Sequence, residues 1–173
     1  MVTHPSILLI EDSPGERELF RLALVQTGLD VVLFTEQDAE AAFRFLEEEA
    51  KIQAEAEWKH TGSTQPGSST SSSTLTSTFS SLPCLILLDL HLGCEDGCDL
   101  LKRLRADARF ATIPVVIFTT SDDQHDLARC QANGANGYVV KPGTFAELIQ
   151  CTTDICRFWL NRNRVPYMVG TPC

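Results

Sequence analysis

In Leu85-Ile86-Leu87-Leu88-Asp89, four apolar residues are followed directly by a carboxylate. The apolar run is too short for a buried helix and too uniformly apolar for a strand with one solvent-exposed face. It is typical of a strand in a parallel sheet that is covered on both faces. Similar short runs stand at residues 7–10, 31–34, 115–118 and 138–140. The sequence therefore predicts five buried strands.

Segments with helical signals separate these strands. In the first, Ser13 can cap the helix, Pro14 suits its first position and Glu16 completes a capping box. Its inward face is expected to comprise Leu19, Leu22, Ala23 and Gln26. Further helices are predicted near residues 37–58, 98–107, 124–133 and 144–161. This alternation predicts an α/β domain with a doubly wound parallel sheet.

Composition limits the classes of partner. The 173 residues carry 14 Lys+Arg against 23 Asp+Glu, a formal net charge of -9, and 43% hydrophobic residues. This acidic balance argues against binding to nucleic acid or to an anionic membrane, since both need clustered basic residues. No apolar run approaches the roughly 20 residues of a membrane helix, and no signal peptide is visible. A cytoplasmic protein is expected.

One segment does not fit the alternation. Between residues 61 and 81, 15 of 21 residues are Ser or Thr. Such a stretch buries too little apolar surface to offset its ordering entropy. We therefore expect a single domain over residues 1–164, interrupted by a flexible insertion at residues 61–81 and followed by a short tail at residues 165–173.

The chain has seven cysteines. Without a secretion signal, reduced thiols are expected rather than a disulfide framework. Cys94 and Cys98, with His91 nearby, match no standard zinc spacing, and a redox or metal role for them stays open.

Polar residues stand where four of the predicted strands end. Glu11-Asp12 follow the first strand, Asp89 the third, Thr119-Thr120 the fourth and Lys141-Pro142 the fifth. Each alone would be a helix cap or a solvated side chain, but the carboxyl ends of parallel strands meet at one edge. Three clustered carboxylates repel one another without a cation, and their oxygen ligands suit Mg²⁺. A phosphoryl group on Asp89 could then be stabilised by Lys141 and Thr119.

At this point the sequence resembles the receiver domain of two-component response regulators. The resemblance spans about residues 6–160 and implies a flavodoxin-like fold with a five-stranded sheet in the order 2-1-3-4-5. It is carried by five segments: Ile10-Glu11-Asp12-Ser13, Leu87-Leu88-Asp89-Leu90, Asp96-Gly97, Phe118-Thr119-Thr120-Ser121 and Gly137-Tyr138-Val139-Val140-Lys141-Pro142.

The resemblance also implies a ligand set and a donor. Asp89 would accept a phosphoryl group from a sensor histidine kinase. Mg²⁺ would be held by Glu11, Asp12, Asp89 and the main-chain carbonyl of His91. Lys141 would pair with Asp89 and then with the phosphate.

A switch is implied as well. The hydroxyl of Thr119 would move to the phosphate, and the ring of Tyr138 would turn inward into the vacated space. The peptide bond before Pro142 would be cis. His91 and Ser121 occupy positions that tune the lifetime of the phosphate in this family. Where the family often has Met-Pro, this chain has Leu92-Gly93, which is expected to loosen the loop.

Only a short tail follows the receiver, so we expect a stand-alone regulator that docks to another protein or passes the phosphoryl group onward. The ending Phe158-Trp159-Leu160 is similar to that of single-domain regulators paired with bacterial phytochromes, in which an aromatic last helix helps to form a homodimer. The alternative is that Phe158 and Trp159 close the core.

Other classes of function are open at this stage. A receiver-like interaction module that is never phosphorylated would be expected to lack one of the site residues, and none is missing. An Mg²⁺-dependent aspartyl phosphatase would need a second acid two residues after its nucleophile, where this chain has His91. A flavodoxin-like electron carrier would need a phosphate-binding loop in place of Glu11-Asp12.

Overall fold

The structure is a computed structural model that describes residues 4–61 and 82–162. The predicted insertion lies outside the described residues apart from Thr61, which ends a helix, and the tail at residues 165–173 also lies outside them. The elements are β1 (Ser6–Ile10), α1 (Pro14–Gln26), β2 (Val32–Glu36), α2 (Ala39–Thr61), β3 (Leu85–Leu88), β4 (His91–Leu92), β5 (Glu95–Asp96), α3 (Gly97–Ala106), β6 (Val115–Thr119), α4 (Gln124–Ala132), β7 (Gly137–Val140), α5 (Phe145–Cys156) and a π-helical segment (Arg157–Arg162).

The main sheet has five parallel strands in the order β2-β1-β3-β6-β7. Counted along the sheet-forming strands alone, this is the expected order 2-1-3-4-5. Every residue of β1, β3 and β6 is buried, whereas the edge strands β2 and β7 are only partly so. The predicted doubly wound sheet is therefore confirmed.

Helices cover both faces of this sheet because successive strand residues point to opposite sides. Leu8 and Ile10 of β1 contribute to a core shared with α2, α3 and α4, whereas Ile7 and Leu9 contribute to a core shared with α1 and α5. The two cores fix the sheet from both sides, so the residues that follow its strands are held at one edge.

The predicted inward face of α1 is partly wrong. Leu19 and Leu22 are 47% and 40% exposed, whereas Phe20, Ala23 and Leu24 are buried. The helix is turned so that the ring of Phe20 meets that of Phe118 edge-on, with centroids 5.6 Å apart. A buried aromatic pair of this kind outweighs the simple spacing of leucines.

A short hairpin follows β3 and was not predicted. β4 and β5 pair antiparallel, with Leu92 opposite Glu95, so that Gly93 and Cys94 form a two-residue turn. Gly93 has φ +63, a conformation that glycine adopts without steric cost. The expected loose loop is therefore a tight turn.

Two further features concern the C-terminal part. The described residues contain no cis peptide bond, so the expected cis bond before Pro142 is wrong and the bond is trans, which is the preferred isomer. α5 continues directly into the π-helical segment, where Phe158 is 54% exposed and Trp159 packs against the core shared with α1 and α5.

Among the described helices, none combines the length and the apolarity that crossing a membrane requires.

Candidate functional site

The carboxyl ends of the parallel strands bring the predicted polar residues together. Glu11 and Asp12 follow β1, Asp89 follows β3, Thr119 ends β6 and Lys141 follows β7. Ligand atoms of Glu11, Asp12 and Asp89 lie within 4.8 Å of one another. Ser13 caps α1, so the carboxylate of Asp12 is not used as the cap. The acidic cluster that the sequence predicts is therefore present.

Lys141 is the cation of this cluster. Its Nζ lies 2.9 Å from Asp89 Oδ2 and also donates to Glu11 Oε2 and Glu16 Oε2. Burial by itself lowers the pKa of Lys141, but these three carboxylates outweigh it and hold the pKa above its usual value. The side chain is therefore a permanent ammonium group at the centre of the site.

Asp89 is held as a carboxylate. Its Oδ1 accepts hydrogen bonds from the main-chain N–H of Leu90 at 2.6 Å and of His91 at 3.4 Å. Burial by itself raises the pKa of Asp89, but its bonds to Lys141, Thr119 and the His91 main chain bring the pKa below its usual value. An ionised, desolvated carboxylate of this kind is a competent nucleophile.

Glu11 behaves differently although it shares the same lysine. Its side chain is only 2% exposed, and burial raises its pKa from 4.5 to about 7 against the opposing effect of Lys141. The charge of Asp89 acts in the same direction as burial. A divalent cation bound beside such an acid stabilises its ionised form, so the donor set fits a hard cation.

The Asp96-Gly97 pair determines the shape of the loop behind Asp89. The side chain of Asp96 caps α3 by accepting from Cys98 N at 2.8 Å, and Gly97 N donates to Leu90 O at 2.9 Å. A Cβ atom on Gly97 would lie 2.1 Å from the main-chain oxygen of Asp89. Only glycine therefore allows α3 to start so close to this aspartate.

Sequence reasoning missed the site contacts of two residues at the start of α1, Glu16 and Arg17. Ser13 Oγ accepts from Glu16 N at 3.4 Å as expected, but Ser13 N donates to Glu11 Oε1 at 3.0 Å rather than to Glu16. The side chain of Glu16 is therefore available to Lys141. Arg17 Nη1 donates to the main-chain oxygen of Glu11 and, at 3.0 Å, to that of Asp12.

The predicted switch pair lies on the β6 side of the cluster. Thr119 is fully buried, and its Oγ1 accepts from Ser121 N at 3.3 Å. Tyr138 is half-buried, and its Oη donates to Ser121 O at 2.9 Å. Ser121 Oγ donates to Asp126 Oδ2 at 2.8 Å. Thr119 and Tyr138 thus contact the same short segment, which links the site to α4.

The open question about Cys94 and Cys98 receives a geometric answer. Cys98 is buried and its sulfur lies 2.8 Å from that of Cys130, whereas Cys94 is exposed. His91 is exposed as well. Over residues 4–61 and 82–162, the acidic trio is the one group with metal-ligand spacing, so no site forms at Cys94, Cys98 and His91.

A model of the response regulator receiver domain matches residues 60–153. The chain belongs to this family. The match covers more than half of the chain and includes Asp89, Asp96-Gly97, Thr119 and Lys141.

The chain is also similar in sequence to individual proteins. The chain is 41% identical to the probable methanogenesis regulatory protein FilR2 of Methanothrix harundinacea over 86 residues, which are 50% of this chain and 56% of that protein. It thus spans about half the length of that relative. It is 28% identical over 160 residues to the response regulator Rcp1 of Synechocystis sp., covering 92% of each chain.

Solved structures agree with this assignment. The Mn²⁺-bound form of Rcp1 superposes with a TM-score of 0.68 at 28% identity, covering 94% of this chain and 99% of that chain. The phosphorylated cyanobacterial phytochrome response regulator RcpA superposes with a TM-score of 0.67 at 26% identity, covering 95% and 99%. The chain is thus a receiver domain of two-component signalling, a phosphoacceptor class of protein.

Proposed function

We propose that Asp89 is the phosphoacceptor of this receiver domain. The observation that carries the proposal is the environment of the Asp89 carboxylate, which is buried, ionised and 2.9 Å from the Lys141 ammonium. An oxygen of Asp89 attacks phosphorus, an O–P bond forms, and the P–N bond to the histidine of a sensor kinase breaks. The electron pair of that bond stays on the histidine nitrogen.

The neighbouring side chains stabilise the product of this transfer. Lys141 neutralises charge on the phosphoryl oxygens, and the hydroxyl of Thr119 donates to one of them. We propose that Glu11, Asp12, Asp89 and the main-chain carbonyl of His91 hold Mg²⁺. When bound, this ion supplies further positive charge for the phosphoryl oxygens. His91 and Ser121 set how easily water reaches the phosphoryl group and so tune its lifetime.

The signal then leaves through the segment after β6. When Thr119 turns toward the phosphate, it gives up its contact with Ser121 N, and the Tyr138 ring moves into the space it leaves. Because Ser121 holds both Tyr138 and Asp126, this change reaches α4. We propose that the chemistry of the protein is confined to this phosphorylation and to the hydrolysis that reverses it.

The test is incubation of the protein with acetyl phosphate and Mg²⁺, followed by intact-mass measurement. We expect a gain of one phosphoryl group that is lost in Asp89→Asn and on chelation. Asp99→Asn is the matched control, because Asp99 is an exposed aspartate of α3 that pairs with Lys102 outside the site. Labelling of Asp89→Asn, or no labelling of the parent protein, would contradict the proposal.

We further propose a sensor kinase of the phytochrome type as the donor, and a homodimer of this chain. Support for the first is the likeness to Rcp1 and to RcpA, the latter named as a phytochrome response regulator. Support for the second is Phe158, an aromatic side chain that stands 54% exposed beside Trp159 on the π-helical segment.

Both partners can be tested separately. Phosphotransfer from a panel of kinases should favour one with a chromophore domain, and equal transfer from all of them would remove the phytochrome assignment. Sedimentation should show a dimer that Phe158→Ala weakens. Trp58→Ala is the control, since Trp58 is a 77% exposed aromatic residue of α2. Equal weakening by both substitutions would contradict a dimer through Phe158.

A further inference from the structure

Two thiols meet in the core between α3 and α4. Cys98, in the first turn of α3, and Cys130, near the end of α4, are both fully buried. Their Sγ atoms lie 2.8 Å apart although the residues are 32 positions apart in sequence. A disulfide bond is about 2.05 Å long, so the sulfur atoms need to approach by less than ~1 Å to become bonded.

The surroundings favour this pair over other partners. Neither sulfur is exposed, so neither can reach a thiol of another molecule while the fold is closed. Polar contacts hold the two helices together at this point: Arg129, next to Cys130, binds the Asp96 cap of α3 and, on its own helix, Asp126. The thiols are therefore kept adjacent by contacts that do not depend on the sulfur atoms.

We propose that Cys98 and Cys130 are a modification site that a peroxide converts into an intramolecular disulfide joining α3 to α4. Each thiol loses one hydrogen, the S–S bond forms, and the O–O bond of one hydrogen peroxide molecule breaks to give two water molecules. The peroxide thus accepts the two electrons that the sulfur atoms lose. A thiol reductant reverses the step.

The rate of this oxidation is limited by burial. Burial raises the pKa of the Cys130 thiol to about 12, so its reactive thiolate is scarce at neutral pH. Oxidation therefore proceeds through transient opening of α4, and the second thiol closes the bond as α4 repacks. We expect a slow reaction that nevertheless yields one defined product.

The disulfide would act on the switch. Asp126, one turn before Cys130, accepts a hydrogen bond from the hydroxyl of Ser121. The main-chain oxygen of Ser121 in turn accepts a hydrogen bond from the hydroxyl of Tyr138. A covalent bond between α3 and α4 opposes any displacement of α4 that accompanies phosphorylation. This consequence for signalling rests on the proposed function, whereas formation of the disulfide does not.

The first experiment treats the full chain with hydrogen peroxide, alkylates the remaining thiols after denaturation, and maps the peptides. We expect that, of the seven cysteines, Cys98 and Cys130 escape alkylation together and appear in one cross-linked peptide pair. Cys94→Ser, which removes an exposed thiol, should give the same product, and Cys98→Ser and Cys130→Ser should not. Alkylation of both thiols under conditions that oxidise Cys94, or a disulfide to another cysteine, would overturn the proposal.

The second experiment measures amide hydrogen exchange of Gln124–Ala132 in the parent protein, so it needs no variant to fold. Oxidation should slow this exchange by about tenfold, and dithiothreitol should restore it. Unchanged exchange in the cross-linked protein would overturn the constraint on α4. Asp89→Asn should still form the disulfide. Labelling of the reduced parent by acetyl phosphate tests the phosphoacceptor proposal separately.

Discussion

Glu11 is the residue at which the electrostatics of the acidic cluster can be measured, because its carboxyl is buried and carries a raised pKa. A pKa that rises from 4.5 to about 7 on folding means that the ionised form costs the folded state about 3 kcal/mol at pH well above 7. Since the folded-state pKa is the higher one, this contribution favours folding below about pH 4.5 and is lost as the pH rises through about 7.

Glu11→Gln replaces this acid by a neutral side chain of the same shape. In a chelator at pH 8, we expect the variant to exceed the parent protein in free energy of unfolding by up to about 3 kcal/mol. The gap should narrow as the pH falls to about 5, because the parent protein then folds with Glu11 protonated. Urea unfolding at both pH values, followed by circular dichroism, gives the two differences.

One control variant and the addition of Mg²⁺ distinguish the burial of the Glu11 charge from a general loss of negative charge. Asp12→Asn removes a charge from the exposed side of the same cluster, so its effect on stability should be smaller. Mg²⁺ should stabilise the parent protein more than Glu11→Gln, which lacks one of the proposed ligands. If Glu11→Gln is no more stable than the parent at pH 8, or if its advantage is the same at pH 5, the reasoning is refuted.

Three further substitutions test other parts of the structure. Gly97→Ala places a methyl group against the main-chain oxygen of Asp89. We expect the free energy of unfolding, measured by thermal unfolding, to fall by about 1–3 kcal/mol and labelling by acetyl phosphate to become slower. Unchanged labelling would contradict this expectation. Glu16→Gln frees Lys141 from one competing carboxylate, so labelling should become faster, by no more than about fivefold; slower labelling would show that Glu16 positions the lysine instead. Arg129→Gln removes the ion pair to the Asp96 cap of α3 and the one to Asp126 on α4 itself. Amide hydrogen exchange of α4 should therefore become faster, and the free energy of unfolding should fall by about 1 kcal/mol. Unchanged exchange would show that these ion pairs do not hold α4 in place.

The fold and the acidic cluster could be predicted from sequence because both depend on short, local patterns. A strand buried on both faces must be apolar throughout, and the first polar residue after it must emerge at the sheet edge. Asp89 after β3 and Glu11 after β1 follow this rule directly. Parallel pairing then brings them together without further information.

The contacts that sequence did not reveal depend on how whole helices approach one another. Ser13 has two acids within reach, Glu11 and Glu16, and only the turn after β1 decides which of them its main-chain N–H binds. The approach of Cys98 to Cys130 depends on the packing of α3 against α4. Neither contact leaves a periodic signal, so spacing arguments could not find it.

The charges around Lys141 suggest an order of events at the site. Glu11, Asp89 and Glu16 share this one ammonium group, and Asp12 lies beside them. A phosphoryl group brings further negative charge into the cluster, so its arrival is favourable only if positive charge is added or redistributed. Lys141 can turn from Glu16 to the phosphoryl oxygens, since Glu16 is partly exposed and water can solvate it afterwards. Glu11 has no such access to water, and its charge needs a bound cation. If Mg²⁺ binds as proposed, the buried acid thus makes phosphorylation dependent on the ion, whereas the partly exposed Glu16 leaves the lysine free to move.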